Sequence, residues 1–240
     1  MAQVTGSSPL RLMLEATRTR ELRHSARWTV GIATLGIINL FLCAFLESFV
    51  NDRNGEDGFM LFLAVESSFL LLAGAAVVNG DLETISRRTW VFPMTSSARF
   101  SFVFLSLLRH RATFIIAVTT VFASALLGPR APVSVGGRVI MTALLELFLF
   151  SAMSLLTILR IRPAGETRSL LSLAGLILAG ILVLTAVVTP GPILNIIYPL
   201  RWTTAGVLMI HQGETLAALP YAGYLMIFTG ACVLIGRRYA

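Results

Sequence analysis

The sequence predicts an all-α polytopic membrane protein with six transmembrane helices. Three observations carry that prediction. The chain is 56% hydrophobic and only 13% charged, where soluble domains carry about 25% charged residues. Its apolar residues fall in runs of roughly 20, the length a helix needs to cross a hydrocarbon layer of about 30 Å. Its basic residues collect in alternate short loops, the asymmetry that orients membrane helices. Six such runs use up the 240 residues and leave no room for a soluble catalytic domain.

Residues 1–28 form a cytosolic N-terminal segment, and 29–240 the six-span domain. Ser8 can cap a helix that has Pro9 at its first position. Arg11, Arg18, Arg20, Arg23 and Arg27 then alternate with Leu10, Met13 and Leu14, the pattern of a helix lying in the membrane interface. An ordinary solvated basic lead-in fits the same residues. Span 1 covers 29–49. The loop at 51–58 is net acidic, and span 2 covers 59–78.

The stretch after span 2 reads as a short helix on the membrane surface. Asn79-Gly80 tolerates the left-handed conformation that ends a helix. Asp81 is a good N-cap, and Glu83 sits in the first turn, where the helix dipole favours an anion. Leu82, Ile85 and Phe92 supply a modest apolar stripe, while Arg87 and Arg88 suit lipid head groups or an acidic protein surface. Pro93 ends this helix, and Thr95-Ser96-Ser97 can cap the next one.

From 97 to 127 the chain is apolar apart from Arg99 and the cluster Arg109-His110-Arg111. One straight helix of that length would reach about 45 Å, more than the hydrocarbon layer needs. The membrane part of span 3 is therefore expected at 112–127, with the cluster at the inner interface and 100–108 packed beneath it. Gly128-Pro129 breaks the chain outside. Span 4 covers 139–159, a basic loop follows, and span 5 covers 169–188, with Gly175 and Ala179 spaced for close helix packing. Between 189 and 220 the chain is apolar but interrupted by Pro190, Pro192 and Pro199. Two half-inserted helices joined at Pro199, a re-entrant pair, fit better than a full span. Span 6 covers 221–235, and Arg237-Arg238 ends it inside. This arrangement places 15 Arg inside and 4 outside, which puts both termini in the cytosol.

All 19 basic residues are Arg; the chain has no Lys. That excludes a P-loop, whose phosphate cradle needs a Gly-Lys-Ser/Thr run. No His pair has metal spacing, and Cys43 and Cys232 each sit inside an apolar run as packing thiols. The basic charge follows membrane topology rather than a nucleic-acid face, so no nucleic-acid partner is expected. Glu66 lies about two turns into span 2, beside Ser67 and Ser68. A carboxyl there costs roughly 2.5–3.5 kcal/mol on insertion scales, so it marks either a site or a hydrogen-bonded lock between helices. Glu146 in span 4 lies at similar depth, and Asn39 in span 1 is either cavity wall or interhelical glue.

The order of these features resembles the type-2 ABC transporter permeases, the six-span membrane subunits of many bacterial exporters. Glu83, Thr84, Phe92-Pro93 and Thr95-Ser96-Ser97-Ala98-Arg99 follow the family's sequence of acidic residue, short helix, proline break and hydroxyl residues. The resemblance implies that the helix over 81–92 is a cytosolic coupling helix, with Asp81, Leu82, Glu83, Ile85, Arg87, Arg88 and Phe92 facing an ATPase partner. It implies an elbow helix at the N-terminus, a re-entrant pair capping the outer end, and a peripheral span 4. It further implies pairing with a second permease subunit, homo- or heterodimeric, for which Gly175 and Ala179 are candidate packing residues. Spans 1, 2 and 5 then border the pathway, with Asn39, Glu66 and Ser67 as candidate wall residues. The chain itself is expected to bind no cofactor and catalyse nothing; ATP and Mg belong to the partner ATPase. The expected function is ATP-driven export of a hydrophobic or amphiphilic substrate (lipid, antibiotic or peptide) across a bacterial inner membrane, amid membrane lipids. Two alternatives stay open: a proton-coupled secondary transporter using Glu66 and Glu146, and a non-transporting accessory or immunity protein.

Overall fold

A computed structural model describes residues 15, 37, 38, 41, 55–77, 94–127, 132–161 and 199–239. Among these residues the chain is helical, with no strand. Six helices follow one another: α1 (Gly55–Val77), α2 (Ser96–Arg109), α3 (Arg111–Leu126), α4 (Pro132–Ile161), α5 (Pro199–His211) and α6 (Thr215–Tyr239). The N-terminal interfacial helix, span 1 with Asn39, the stretch from Asp81 to Phe92, span 5 with Gly175 and Ala179, and the first half of the re-entrant pair lie outside the described residues.

Two helices are long and apolar enough to cross a membrane, α4 and α6, and the bent pair α2–α3 makes up to three. At 1.5 Å per residue, the 30 residues of α4 reach about 45 Å and the 25 of α6 about 37 Å. The apolar part of α1, Leu61–Ala75, is shorter. These helices make the chain an integral membrane protein.

Helix α4 is the hub of the described structure, because each of the other five packs against it. Contacts along its length set their directions. Arg138, near the start of α4, reaches the carbonyls of Ser124 and Ala125 at the end of α3, so α3 runs antiparallel. Gly137 lies against Ile210 at the end of α5, which is antiparallel too. Gly74, late in α1, lies against Met153, late in α4, so these two run parallel. Met141 and Tyr221 both press on Gly206 of α5, which brings the early part of α6 beside the early part of α4. The core fills with Phe62, Leu63 and Leu70 of α1, Phe102 and Leu107 of α2, Met141, Leu145 and Phe150 of α4, Leu200 of α5 and Leu225 of α6.

The Arg109-His110-Arg111 cluster marks a real break. Thr95 caps α2 as its residue type predicts, its hydroxyl accepting from the Ala98 N–H at 3.3 Å. Fourteen residues later His110 turns extended (φ −65°, ψ 129°), serving as C-cap of α2 and N-cap of α3. The two helices meet at 67°. A break near a lipid-facing region must satisfy its own backbone groups. Here the Thr113 hydroxyl, on α3, bonds the Leu107 carbonyl of α2, and the His110 N–H donates to Ser106 O at 3.0 Å. Arg109 and Arg111 stay exposed while His110 between them is buried.

Helix α5 has 13 residues, about 20 Å, too short to cross the hydrocarbon layer. It begins at Pro199, where the sequence places the joint of the re-entrant pair. It ends in a Schellman turn: Gly213 adopts φ +84°, Glu214 N–H donates to Met209 O at 2.8 Å, and Gly213 N–H to Ile210 O at 3.1 Å. Only glycine takes that φ without strain. Two helices start earlier than the sequence suggests: α4 at Pro132 instead of 139, and α6 at Thr215 instead of 221. Pro220 therefore lies inside α6, at an exposed end where losing one backbone bond costs little. Among the described helices α4 is the central one; spans 1 and 5, against which the expectation of a peripheral span 4 is framed, lie outside the described residues.

The close meeting of α2 and α6 depends on Gly236, whose missing side chain leaves room for the Phe100 ring; a Cβ would collide with it. Gly236→Leu is therefore expected to lower stability in detergent by about 1–3 kcal/mol, the usual cost of overpacking. The check is unfolding monitored by circular dichroism, with Gly223→Leu, where the surroundings are open, as the unaffected control.

Candidate functional site: a buried polar seam along α4

A stripe of polar side chains winds along α4 at every fourth position: Ser134, Arg138, Thr142 and Glu146, all buried. Four residues is just over one helical turn, so each neighbours the next on a slowly turning face. Facing it, α3 offers Thr120 and Ser124, and α1 offers Glu66 and Ser67, all buried as well. The seam thus gathers at the junction of α1, α3 and α4, which pack pairwise against one another.

Glu66 is wholly enclosed at 0% exposure. Its Oε2 lies 3.2 Å from Thr120 Oγ1 on α3, while that same hydroxyl lies 2.8 Å from the Ile116 carbonyl one turn back. Glu146 is 5% exposed, and its carboxyl is within electrostatic reach of Glu66. The level of the two groups follows from the helix directions. Gly74 of α1 meets Met153 of the parallel α4, and eight residues back from each lie Glu66 and Leu145, so Glu66 and Glu146 sit at similar depth. Neither Glu146 Oε2 nor the Thr142 hydroxyl has a hydrogen-bond partner. Among the described residues Ser106 shares this state with Thr142. Thr120, Ser151, Ser154, Thr157 and Thr203 each satisfy their hydroxyls on the carbonyl four residues back.

Arg138 is 3% exposed. Its Nε donates to Ser124 O at 2.8 Å and its Nη2 to Ala125 O at 3.2 Å. The guanidinium therefore caps the last turn of α3, supplying donors and positive charge where the helix dipole is negative. At the start of α4, Ser134 Oγ lies 3.2 Å from Nδ1 of the exposed His211 on α5. The seam thus runs from an exposed histidine at one end of the bundle to two carboxyls in its middle.

Of the sequence-predicted site residues, Glu66 and Ser67 are described, and both lie inside this chain's own core. The two glutamates that the sequence places at similar depth lie within electrostatic reach of one another. Arg138, expected in an outside loop, is instead drawn into α4. Thr120, Thr142 and the Ser134–His211 contact went unread in the sequence. The four-residue spacing of Ser134, Arg138, Thr142 and Glu146 was the available signal.

Compared with known proteins, the chain matches no family model, no curated protein and no solved structure.

Removing the Arg138 guanidinium leaves two α3 carbonyls without their charged donor in a buried setting. Arg138→Ala is expected to destabilise the protein by about 1.5–3 kcal/mol, the range for hydrogen bonds to charged groups. Arg138→Lys should recover only part, because an ammonium cannot reproduce the two-pronged geometry. Denaturant titration of both variants in detergent checks the order.

Proposed function

We propose that this protein is the membrane-spanning permease subunit of an ATP-driven exporter, resembling the type-2 ABC permeases, with separate ATPase subunits supplying the energy. The observation that carries the reading is the α2–α3 device. Directly after the stretch from Asp81 to Phe92, the chain forms a short amphipathic helix with Phe100, Val103 and Leu107 turned inward. That helix packs on α4 and α6, then breaks by 67° into α3. A push on the preceding segment would travel through α2 to the hub helix, which is the mechanical role a coupling element needs. The short helix beginning at Pro199 supports a re-entrant pair, and the exposed Arg237 and Arg238 share an end of the bundle with the start of α2. In this reading the chain has six spans, pairs with a second permease subunit, keeps both termini in the cytosol of a bacterial inner membrane, and exports a hydrophobic or amphiphilic substrate.

The meeting of Glu66 and Glu146 favours a second reading, a proton-coupled carrier. Two carboxyls buried at one depth are the equipment of such a carrier, and intramembrane acids mark proton paths in many transporters.

Co-purification from the native host in mild detergent separates the two. The permease reading predicts a co-eluting P-loop ATPase. Combining Glu83→Ala with Arg87→Ala should reduce its recovery roughly tenfold, the loss expected for about 1.4 kcal/mol of docking energy. If no ATPase co-elutes, and a protonophore stops transport while cellular ATP is held constant, the carrier reading replaces it.

A further inference from the structure

We propose that the basic end of the bundle, where the start of α2 meets the end of α6, is a docking surface for anionic phospholipid, with the headgroup on Arg237 and Arg238 and the acyl chains along the outer face of α6. This assignment holds for a permease and a carrier alike, because it concerns the lipid around the bundle rather than the cargo.

One close contact builds the surface. Gly236, in the last turn of α6, gives its side-chain space to the Phe100 ring of α2. Arg99 precedes Phe100 and Arg237 and Arg238 follow Gly236, so three arginines gather at this end. Arg237 and Arg238 are exposed. Helix α2 buries Phe100, Phe102, Val103 and Leu107 on one face and lies at 67° to α3. A short amphipathic helix inclined to a membrane-directed one has the form that lies in a membrane interface. Tyr239, exposed at the tip of α6, is a residue type that settles at the membrane–water boundary, where headgroups lie.

Among the described helices and their connections, no acid shares this end. Glu214 precedes α6 and is separated from Arg237 by about 35 Å of helix. Glu56 and Asp57 open α1, which runs parallel to α4 and so begins at the opposite end. Glu66 and Glu146 are buried within the bundle.

The side of α6 that carries Arg238 continues as an apolar stripe. At 3.6 residues per turn, Leu216, Ile227, Leu234 and Arg238 fall within about 40° of one another around the helix. All four are exposed. Only 11% of the apolar stretch of α6 is buried, so the stripe faces outward. Cations at the end of a long apolar stripe match a molecule with an anionic head and a hydrocarbon tail, and arginines at a membrane surface attract anionic headgroups. Two other occupants fit less well. A second copy packed in parallel on this stripe would bring its own two arginines against the first pair, like charge against like. An acidic soluble protein would meet the arginines and leave the stripe uncovered.

The test is competition between phosphatidylglycerol and phosphatidylcholine for the purified full chain in detergent, with bound lipid counted by native mass spectrometry. The expected result is a preference for phosphatidylglycerol. Combining Arg237→Ala with Arg238→Ala should reduce that preference roughly tenfold. Combining Arg237→Lys with Arg238→Lys keeps the charge and should keep the preference. The comparison of the two lipids on the wild-type chain stands by itself should the alanine pair fail to fold. Equal binding of both lipids would overturn the proposal, and so would binding of neither, as when a second copy covers the stripe. A preference unchanged in the alanine pair, or lost equally in the lysine pair, would overturn it as well.

Discussion

The structure depends on one constraint: polar groups drawn into a membrane bundle must find their partners inside it. Helix α4 carries most of that load. It is the element every other described helix touches, and it is also the helix with the longest line of buried polar side chains. An apolar α4 could pack against five neighbours in many registers, since Leu slides over Leu with little penalty. Arg138 fixes the register against α3 through two carbonyls, and Ser134 fixes it against α5 through His211. The small residues do the complementary work. Gly137, Gly206 and Gly74 let bulky side chains of neighbouring helices come close, so the polar contacts can close.

The same constraint explains the break at His110. A straight helix from Ser96 to Leu126 would carry Arg109 and Arg111 along the bundle wall. Bending there keeps both side chains exposed and buries only the imidazole between them. The Thr113 hydroxyl takes over a carbonyl that the bend sets free. The result is a short amphipathic helix set at a steep angle to a membrane-directed one, joined by a hinge whose backbone groups are partnered.

Much of this architecture was legible from residue types with local consequences. The hydroxyl run at 95–97 announces a cap, and Thr95 provides it. The Arg-His-Arg cluster announces an interruption, and it falls at His110. Pro199 announces the start of a short helix, and α5 begins there. What escaped is non-local. A lone Arg138 ahead of an apolar run looks like a loop residue, because nothing in its neighbourhood shows that the end of α3 supplies carbonyls to hold it. Glu66 and Glu146 are 80 positions apart in the sequence, and their meeting depends on helix directions that single-helix patterns do not set. Thr120 reads as one hydroxyl among several until α1 is packed against it.

Glu66 on α1 and Glu146 on α4 are both buried and lie within electrostatic reach of one another. A double-mutant cycle on stability tests this packing most directly, with Glu66→Gln, Glu146→Gln and the combined variant unfolded under identical conditions. Direct interaction predicts a coupling energy above about 0.5 kcal/mol, the threshold beyond which neighbouring sites depart from additivity. Additive effects within that margin would mean that the two glutamates do not sense one another, and would contradict the packing of α1, α3 and α4 described above.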